Sequence, residues 1–205
     1  WLFYIRPPWH GQPACKSIQI WENFDRPVCR LPCRQRRRSP EEVFLSIHGN
    51  TGGLKPSHLR MLESLASRRN PPESLFGSTC AALLLEIAQS TGREAGVLVD
   101  RKGVVRDVVV GTSEGILLPP PDLPEGGLMP GLRLLHAHPG VRELSREDLT
   151  LLYSHRLDAV AVCIRQHADA PVQVSWAHLD GSRQEPVVHP FVPLEQAQGY
   201  SQLFE

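Results

Sequence analysis

The chain has 205 residues, 41% of them hydrophobic, and its 22 basic and 22 acidic residues cancel, which is typical of a soluble protein with one well-buried core. It has no apolar run of about eighteen residues, and its opening WLFYIRPPWHG lacks the features of a secretory signal, so we expect a cytoplasmic protein without membrane contact. Its five cysteines are odd in number and form no CxxC pair, which excludes conventional zinc-finger spacing and predicts reduced thiols.

The first forty residues differ from the rest of the chain. They contain six prolines and the cluster RQRRR, and they carry a net charge of +6, against −6 for the remainder. Such a segment buries too little apolar surface to offset the entropy lost on ordering, so we predict that residues 1–40 form a disordered arm that does not pack on the core. Two interpretations stay open: a basic arm that contacts nucleic acid through its phosphates, or a linker or non-native extension.

Residues 41–205 have the sequence of a folded domain. The stretch VFLSIHGN predicts a short strand that runs into a glycine-containing turn. A helix capped by Ser57 is predicted next, because leucines follow at three- and four-residue spacing. A second helix is predicted over residues 78–91, with Gly92 as its C-terminal stop.

The pattern then changes to strands. AGVLVD and VVRDVVVG are predicted to form a hairpin around the turn RKG, and GILLP a further short strand before the loop PPPDLPEGGLMPG. LRLLHAHP is the next predicted strand, and it is followed by a helix over residues 145–155, the strands AVAVCI and VQVSWAHL, and a closing helix over about residues 194–204. This order of elements predicts an α/β (α+β) fold with a mixed β-sheet flanked by helices.

One stretch, LRLLHAHPGVRELSRED, combines residues that bind metals. Residues i and i+2 of a strand share a face, so His136 and His138 are predicted to point together. Ser145 is predicted to cap the following helix, which places Asp148 in its first turn near both imidazoles. Two histidine nitrogens and one carboxylate oxygen leave the fourth tetrahedral position for water, as in catalytic zinc sites. The alternative is two packed histidines at a strand end beside an ordinary helix cap.

The pattern H-x-H-P followed by S-x-x-D resembles the signature of the JAMM metallopeptidases and of RadC-type domains. The resemblance implies a JAMM-like three-layer fold in which His136, His138 and Asp148 bind zinc and Ser145 helps to stabilise the oxyanion. It also implies a glutamate from an earlier strand as general base, for which Glu94 is the candidate. Because Glu94 lies nearer to the following glycine than the family's glutamate does, we predict that it is too far from the other three side chains to share a water molecule.

Four longer stretches resemble another family: SIHGNTGGLKPSHLRMLESLASRRNPPESLFG, GREAGVLVDRKGVVRDVVVGTSEGILLP, GLRLLHAHPGVRELSREDLTLLYSHRLDAVAV and VQVSWAHLDG. Together they are similar to the domain that precedes the GTPase in extended bacterial HflX proteins, which are ribosome-associated GTPases that bind the large ribosomal subunit. The resemblance covers about residues 44–205.

This second resemblance implies a non-catalytic accessory domain that regulates a downstream GTPase domain or contacts the ribosome. The chain contains no G-x-x-x-x-G-K-[ST] phosphate-binding loop, so GTP and magnesium are expected to bind only in a GTPase region beyond Glu205. The alternative function is an active JAMM-type zinc metallohydrolase, a peptidase or isopeptidase, with Glu94 and Ser145 as its catalytic residues.

Overall fold

The computed structural model describes residues 47–118, 128–179 and 185–197, which belong to one compact unit, Val43–Glu205. The predicted arm over residues 1–40 lies outside the described residues. Within these described ranges, three helices and seven strands follow one another as β1 (Ile47–Gly49), α1 (Pro56–Ala66), α2 (Ser78–Thr91), β2 (Ala95–Asp100), β3 (Val105–Val110), β4 (Leu132–Ala137), α3 (Arg146–His155), β5 (Ala159–Ile164), β6 (Gln173–Leu179) and β7 (Pro186–Pro193). A short 3₁₀ helix, Leu194–Gln196, ends the described part.

The strands form one mixed sheet in the order β1-β3-β2-β4-β5-β6-β7. The pairs β1–β3 and β4–β5 are parallel, and the other neighbours are antiparallel. This mixed seven-stranded sheet with three helices confirms the predicted α/β class. The central strands β2, β4 and β5 are almost entirely buried, because helices cover both of their faces.

Alternate residues of the central strands enter two separate apolar clusters. On one face, Val97 of β2 and Leu135 of β4 pack with the buried residues of α1 and α2. On the other face, Leu98, Leu134 and Val160 pack with Leu152 of α3. The layers are therefore α1 and α2, the sheet, and α3. Among the described residues, no helix combines the length and the apolar character needed to cross a membrane.

Most of the predicted elements are confirmed, including the hairpin β2–β3, the strands β4, β5 and β6, and the helix α3. Helix α2 spans the predicted residues, and Gly92 ends it with a positive φ of 67°. The predicted cap of α1 is wrong by two residues: Lys55 is the N-cap and Pro56 the first helical residue, where the lack of a proline N–H costs nothing.

Three other features at the chain's loops and edge differ from prediction. Residues 115–118 of GILLP form no strand, and the closing helix is a 3₁₀ turn over its first three residues, with residues 198–204 outside the described part. Strand β7 was not predicted. Its prolines Pro186, Pro190 and Pro193 argue against a strand. In the part of the chain that the structure describes, however, β7 pairs only with β6 and lies at the sheet edge, where missing N–H donors are tolerated.

Candidate metal centre

The two histidines enter the site from the end of β4. His136 lies within the strand and His138 directly after it, on the sheet face that α3 covers, as the alternation with Leu134 requires. Their side chains are buried, at 0% and 3% exposure, and their Nε2 atoms lie 3.0 Å apart. The strand therefore brings the two imidazoles together as predicted.

Glycine at position 96 makes room for these rings. Gly96 lies opposite His136 in the antiparallel pairing of β2 with β4. A Cβ atom at this position would lie 3.1 Å from the Cβ of His136 and 3.0 Å from the Cδ1 of Ile116, which is closer than ordinary van der Waals contact. Any larger residue would push against the histidine or the apolar side chain beside it.

Glu94 joins the site from the adjacent strand. It precedes β2 by one residue, next to the pair Ala95–Ala137, and so it lies opposite His138. Backbone hydrogen bonds in both directions with residues 111 and 112 hold Glu94 in the sheet. Its carboxylate is buried, and Oε1 lies 3.5 Å from the Nε2 of His138, whereas Oε2 has no hydrogen-bond partner.

Asp148 approaches the histidines from the start of α3. Ser145 is the N-cap of this helix, and the two residues form a capping box in which the Asp148 amide donates to the Ser145 hydroxyl. The Ser145 amide and hydroxyl both donate to Asp148 Oδ2, each over 2.8 Å. Oδ1 lies 3.2 Å from the Nε2 of His136. The cap thus fixes Oδ2 and leaves Oδ1 facing His136.

The four side chains form one buried cluster. One ligand atom from each of Glu94, His136, His138 and Asp148 lies within 4.8 Å of all the others. The distance between His138 Nε2 and Asp148 Oδ2 is 3.7 Å. A water-sized or ion-sized particle could contact all four groups at these separations.

Burial sets the protonation of the cluster. It lowers the pKa of His138 to about 4, assisted by the electrostatic effect of His136, so His138 is neutral near pH 7 and its nitrogen can bind a metal. Burial also raises the pKa of Glu94 above its usual value. For Asp148 burial acts in the same direction, but hydrogen bonds from His136 and Ser145 outweigh it and hold the pKa well below its usual range. One carboxylate is thus kept ionised, while the other takes up a proton more readily.

These donors fit a zinc ion. Zinc is bound by imidazole nitrogen and carboxylate oxygen at about 2.0–2.2 Å, so two ligand atoms of a tetrahedral site lie about 3.3 Å apart. The separations of 3.0 Å between the histidines and 3.2 Å between His136 and Asp148 differ from this by a few tenths of an ångström. The unpartnered buried Glu94 Oε2 is a further indication that the site receives another group.

Four of the sequence-based assignments concern this cluster. The predicted convergence of His136, His138 and Asp148 is confirmed, and so is the Ser145 cap. The prediction that Glu94 lies too far away to share a water molecule is wrong, because strand register places it opposite His138. An oxyanion role of Ser145 stays a prediction; its hydroxyl donates to Asp148 here.

Sequence reasoning missed one residue beside the cluster. Arg142 lies in the connection between β4 and α3, and its Nη2 atom is 3.8 Å from Glu94 Oε1. The only sequence signal was its place between the histidines and Ser145, in a loop that must pass close to both.

Comparison with known proteins gives no match to a family model, to a curated protein or to a solved structure.

Proposed function

We propose that this domain is a zinc-dependent hydrolase that cleaves an amide bond, as a peptidase or isopeptidase. One observation carries the proposal: the buried Glu94 carboxylate lies 3.5 Å from His138, inside the same cluster as His136 and Asp148. Two histidines and one aspartate can serve as ligands, and the additional carboxylate can serve as a base. If three side chains hold the ion, the fourth coordination position is left for water, and Glu94 Oε2, which has no hydrogen-bond partner among the described residues, can accept a proton from that water.

His136, His138 and Asp148 would hold the ion. When bound there, zinc would acidify a water molecule and polarise the carbonyl group of the substrate. Asp148 would bind the ion through Oδ1, because Oδ2 already accepts two hydrogen bonds from Ser145. These second contacts fix the orientation of the carboxylate, which is how residues behind a ligand commonly tune a metal site.

Glu94 would move the proton. A water oxygen adds to the carbonyl carbon of the scissile bond, and Glu94 takes one water proton at its free oxygen, Oε2. The carbon–nitrogen bond then breaks, and Glu94 returns the proton to the leaving nitrogen, which yields a carboxylic acid and an amine. The acid then passes its remaining proton to the amine, which leaves a carboxylate and an ammonium group. The raised pKa of Glu94 suits both steps, since it brings the group closer to neutral pH.

The test is hydrolysis of a panel of peptide and isopeptide substrates by the zinc-loaded chain. We expect turnover that disappears on treatment with a chelator and returns when zinc is added. The same chain carrying Asp148→Asn is the control for contaminating peptidases, and it should be inactive with zinc present. Turnover that persists in this variant would contradict the proposal.

The accessory role implied by the resemblance to HflX proteins is a second proposal, and it rests on the four sequence stretches alone. In it the domain regulates a downstream GTPase domain or contacts the large ribosomal subunit. The two proposals are alternatives, because the accessory domain implied by the resemblance is non-catalytic. Co-sedimentation of the chain with isolated large ribosomal subunits tests the accessory role. Equal amounts of the chain in the pellet with and without subunits would count against this role.

A further inference from the structure

Arg142 connects the metal centre with solvent. Its side chain is 51% exposed, whereas the neighbouring Glu94 carboxylate is only 3% exposed. Its Nη2 atom donates to the carbonyl oxygen of Ser113 over 2.6 Å. This contact joins the loop after β3 to the loop after β4 and holds the guanidinium on the outer side of Glu94.

Within the described part of the chain, these contacts leave several N–H donors of the Arg142 guanidinium without an acceptor. The distance of 3.8 Å to Glu94 Oε1 is too long for a hydrogen bond, so Arg142 and Glu94 form only a loose ion pair. The bond to Ser113 uses a single nitrogen of a group that offers five N–H donors in a planar fork. Arg142 is therefore held in place with donors left over for another group.

The charge of the site favours an anionic group. Glu94 and Asp148 are the two carboxylates of the cluster, and a divalent cation would balance them when both are ionised. Arg142 then adds a positive charge at the outer side of the centre. A guanidinium fork can bind a planar carboxylate through two parallel hydrogen bonds.

We propose that Arg142 binds the free α-carboxylate of the substrate's last residue, so that the enzyme releases C-terminal amino acids. This inference rests on the proposed hydrolase function and names its substrate class. In a peptide, the α-carboxylate carbon of the leaving residue is within about 4 Å of the scissile carbonyl carbon. Arg142 Nη2 lies 3.8 Å from Oε1 of Glu94, the proposed general base, so its guanidinium lies beside the position where the scissile bond would be cleaved.

The experiment compares two substrates that differ in one group. An N-acetyl dipeptide with a free C-terminal carboxylate and its C-terminal amide are offered to the zinc-loaded full chain, and kcat/KM is measured for each. We expect the free acid to be preferred by roughly 10- to 100-fold. Arg142→Gln should bring this ratio close to one, and Arg142→Lys should keep part of it, because lysine retains the charge without the fork. Arg68→Gln, an exposed arginine that follows α1, should keep the full ratio.

Binding of N-acetylalanine and N-acetylalaninamide to the same samples, measured by calorimetry, separates the two proposals. Turnover with no preference for the free acid would overturn the role of Arg142 and leave the hydrolase intact. Acid-selective binding that Arg142→Gln removes, without turnover of either substrate, would support the recognition and contradict the hydrolase. Neither binding nor turnover would overturn both.

Discussion

Glu94 Oε1 lies 3.5 Å from His138 Nε2, between the ends of two adjacent antiparallel strands. The pairing of β2 with β4, in which Ala95 lies opposite Ala137, brings the proposed general base close to the proposed zinc ligands. If the register of β2 against β4 shifted by one residue, the Glu94 side chain would lie on the other face of the sheet, among the apolar side chains of α1 and α2. The register of one strand pair therefore decides whether the site has a base.

Glu94→Gln tests the base directly. Glutamine keeps the shape of the side chain but cannot take up the proton, so kcat for amide hydrolysis should fall about 100-fold or more. Zinc content should stay close to that of the parent chain, because the three proposed ligands are untouched. Glu73→Gln, an exposed glutamate in the connection before α2, is the matched control and should keep full activity. Parental activity of Glu94→Gln would remove the proposed role.

Gly96→Ala tests the space beside His136. The added Cβ would lie 3.0 Å from Ile116 Cδ1 and 3.1 Å from His136 Cβ, so the core must shift to receive it. We expect a loss of about 1–3 kcal/mol in the free energy of unfolding, measured by urea titration. Gly115→Ala, where a Cβ has nothing within 4 Å, should change stability little. Equal stability of the two variants would show that the close approach is relaxed in solution.

The sequence predicted local features of this molecule better than distant contacts. The pair His136 and His138 and the Ser145 cap follow from strand and helix periodicity within one short stretch. The position of Glu94 depends on the pairing of β2 with β4, which lie far apart in the sequence, so no local pattern reports it. The contact of Arg142 with Ser113 joins residues 29 positions apart in two loops, so no local sequence pattern predicts it either.

Ser145→Ala tests the cap that orients Asp148. The change removes the hydroxyl that accepts from the Asp148 amide and donates to Asp148 Oδ2. We expect a loss of about 0.5–2 kcal/mol in stability and a roughly tenfold or greater weakening of zinc affinity. Ser154→Ala, an exposed serine of the same helix, is the control and should affect neither. Unchanged zinc affinity in Ser145→Ala would mean that the cap does not orient the ligand.

Asp100→Asn tests an acid-sensitive contact away from the metal centre. Burial raises the pKa of Asp100, but hydrogen bonds from Val104 and Arg106 outweigh it and leave the pKa below its usual value. A depressed pKa stabilises the folded state above the unfolded value of about 3.9, and this contribution is lost as pH falls through the folded pKa. The stability difference between parent and variant should therefore be largest near neutral pH and shrink below about pH 4.

Urea titrations at neutral and acid pH measure this difference. Asp169→Asn, which removes an exposed carboxylate, serves as the control. A difference between the parent and Asp100→Asn that is the same at both pH values would refute the proposed linkage.

Zinc content after purification without chelator is the most direct test of the central claim, that Glu94, His136, His138 and Asp148 surround a metal ion. We predict about one zinc ion per chain in the parent, little or none in His138→Ala, and the parental amount in His167→Ala, which removes an exposed histidine. Equal zinc in the parent and in His138→Ala, or no zinc in either after addition of excess zinc and dialysis, would contradict the account.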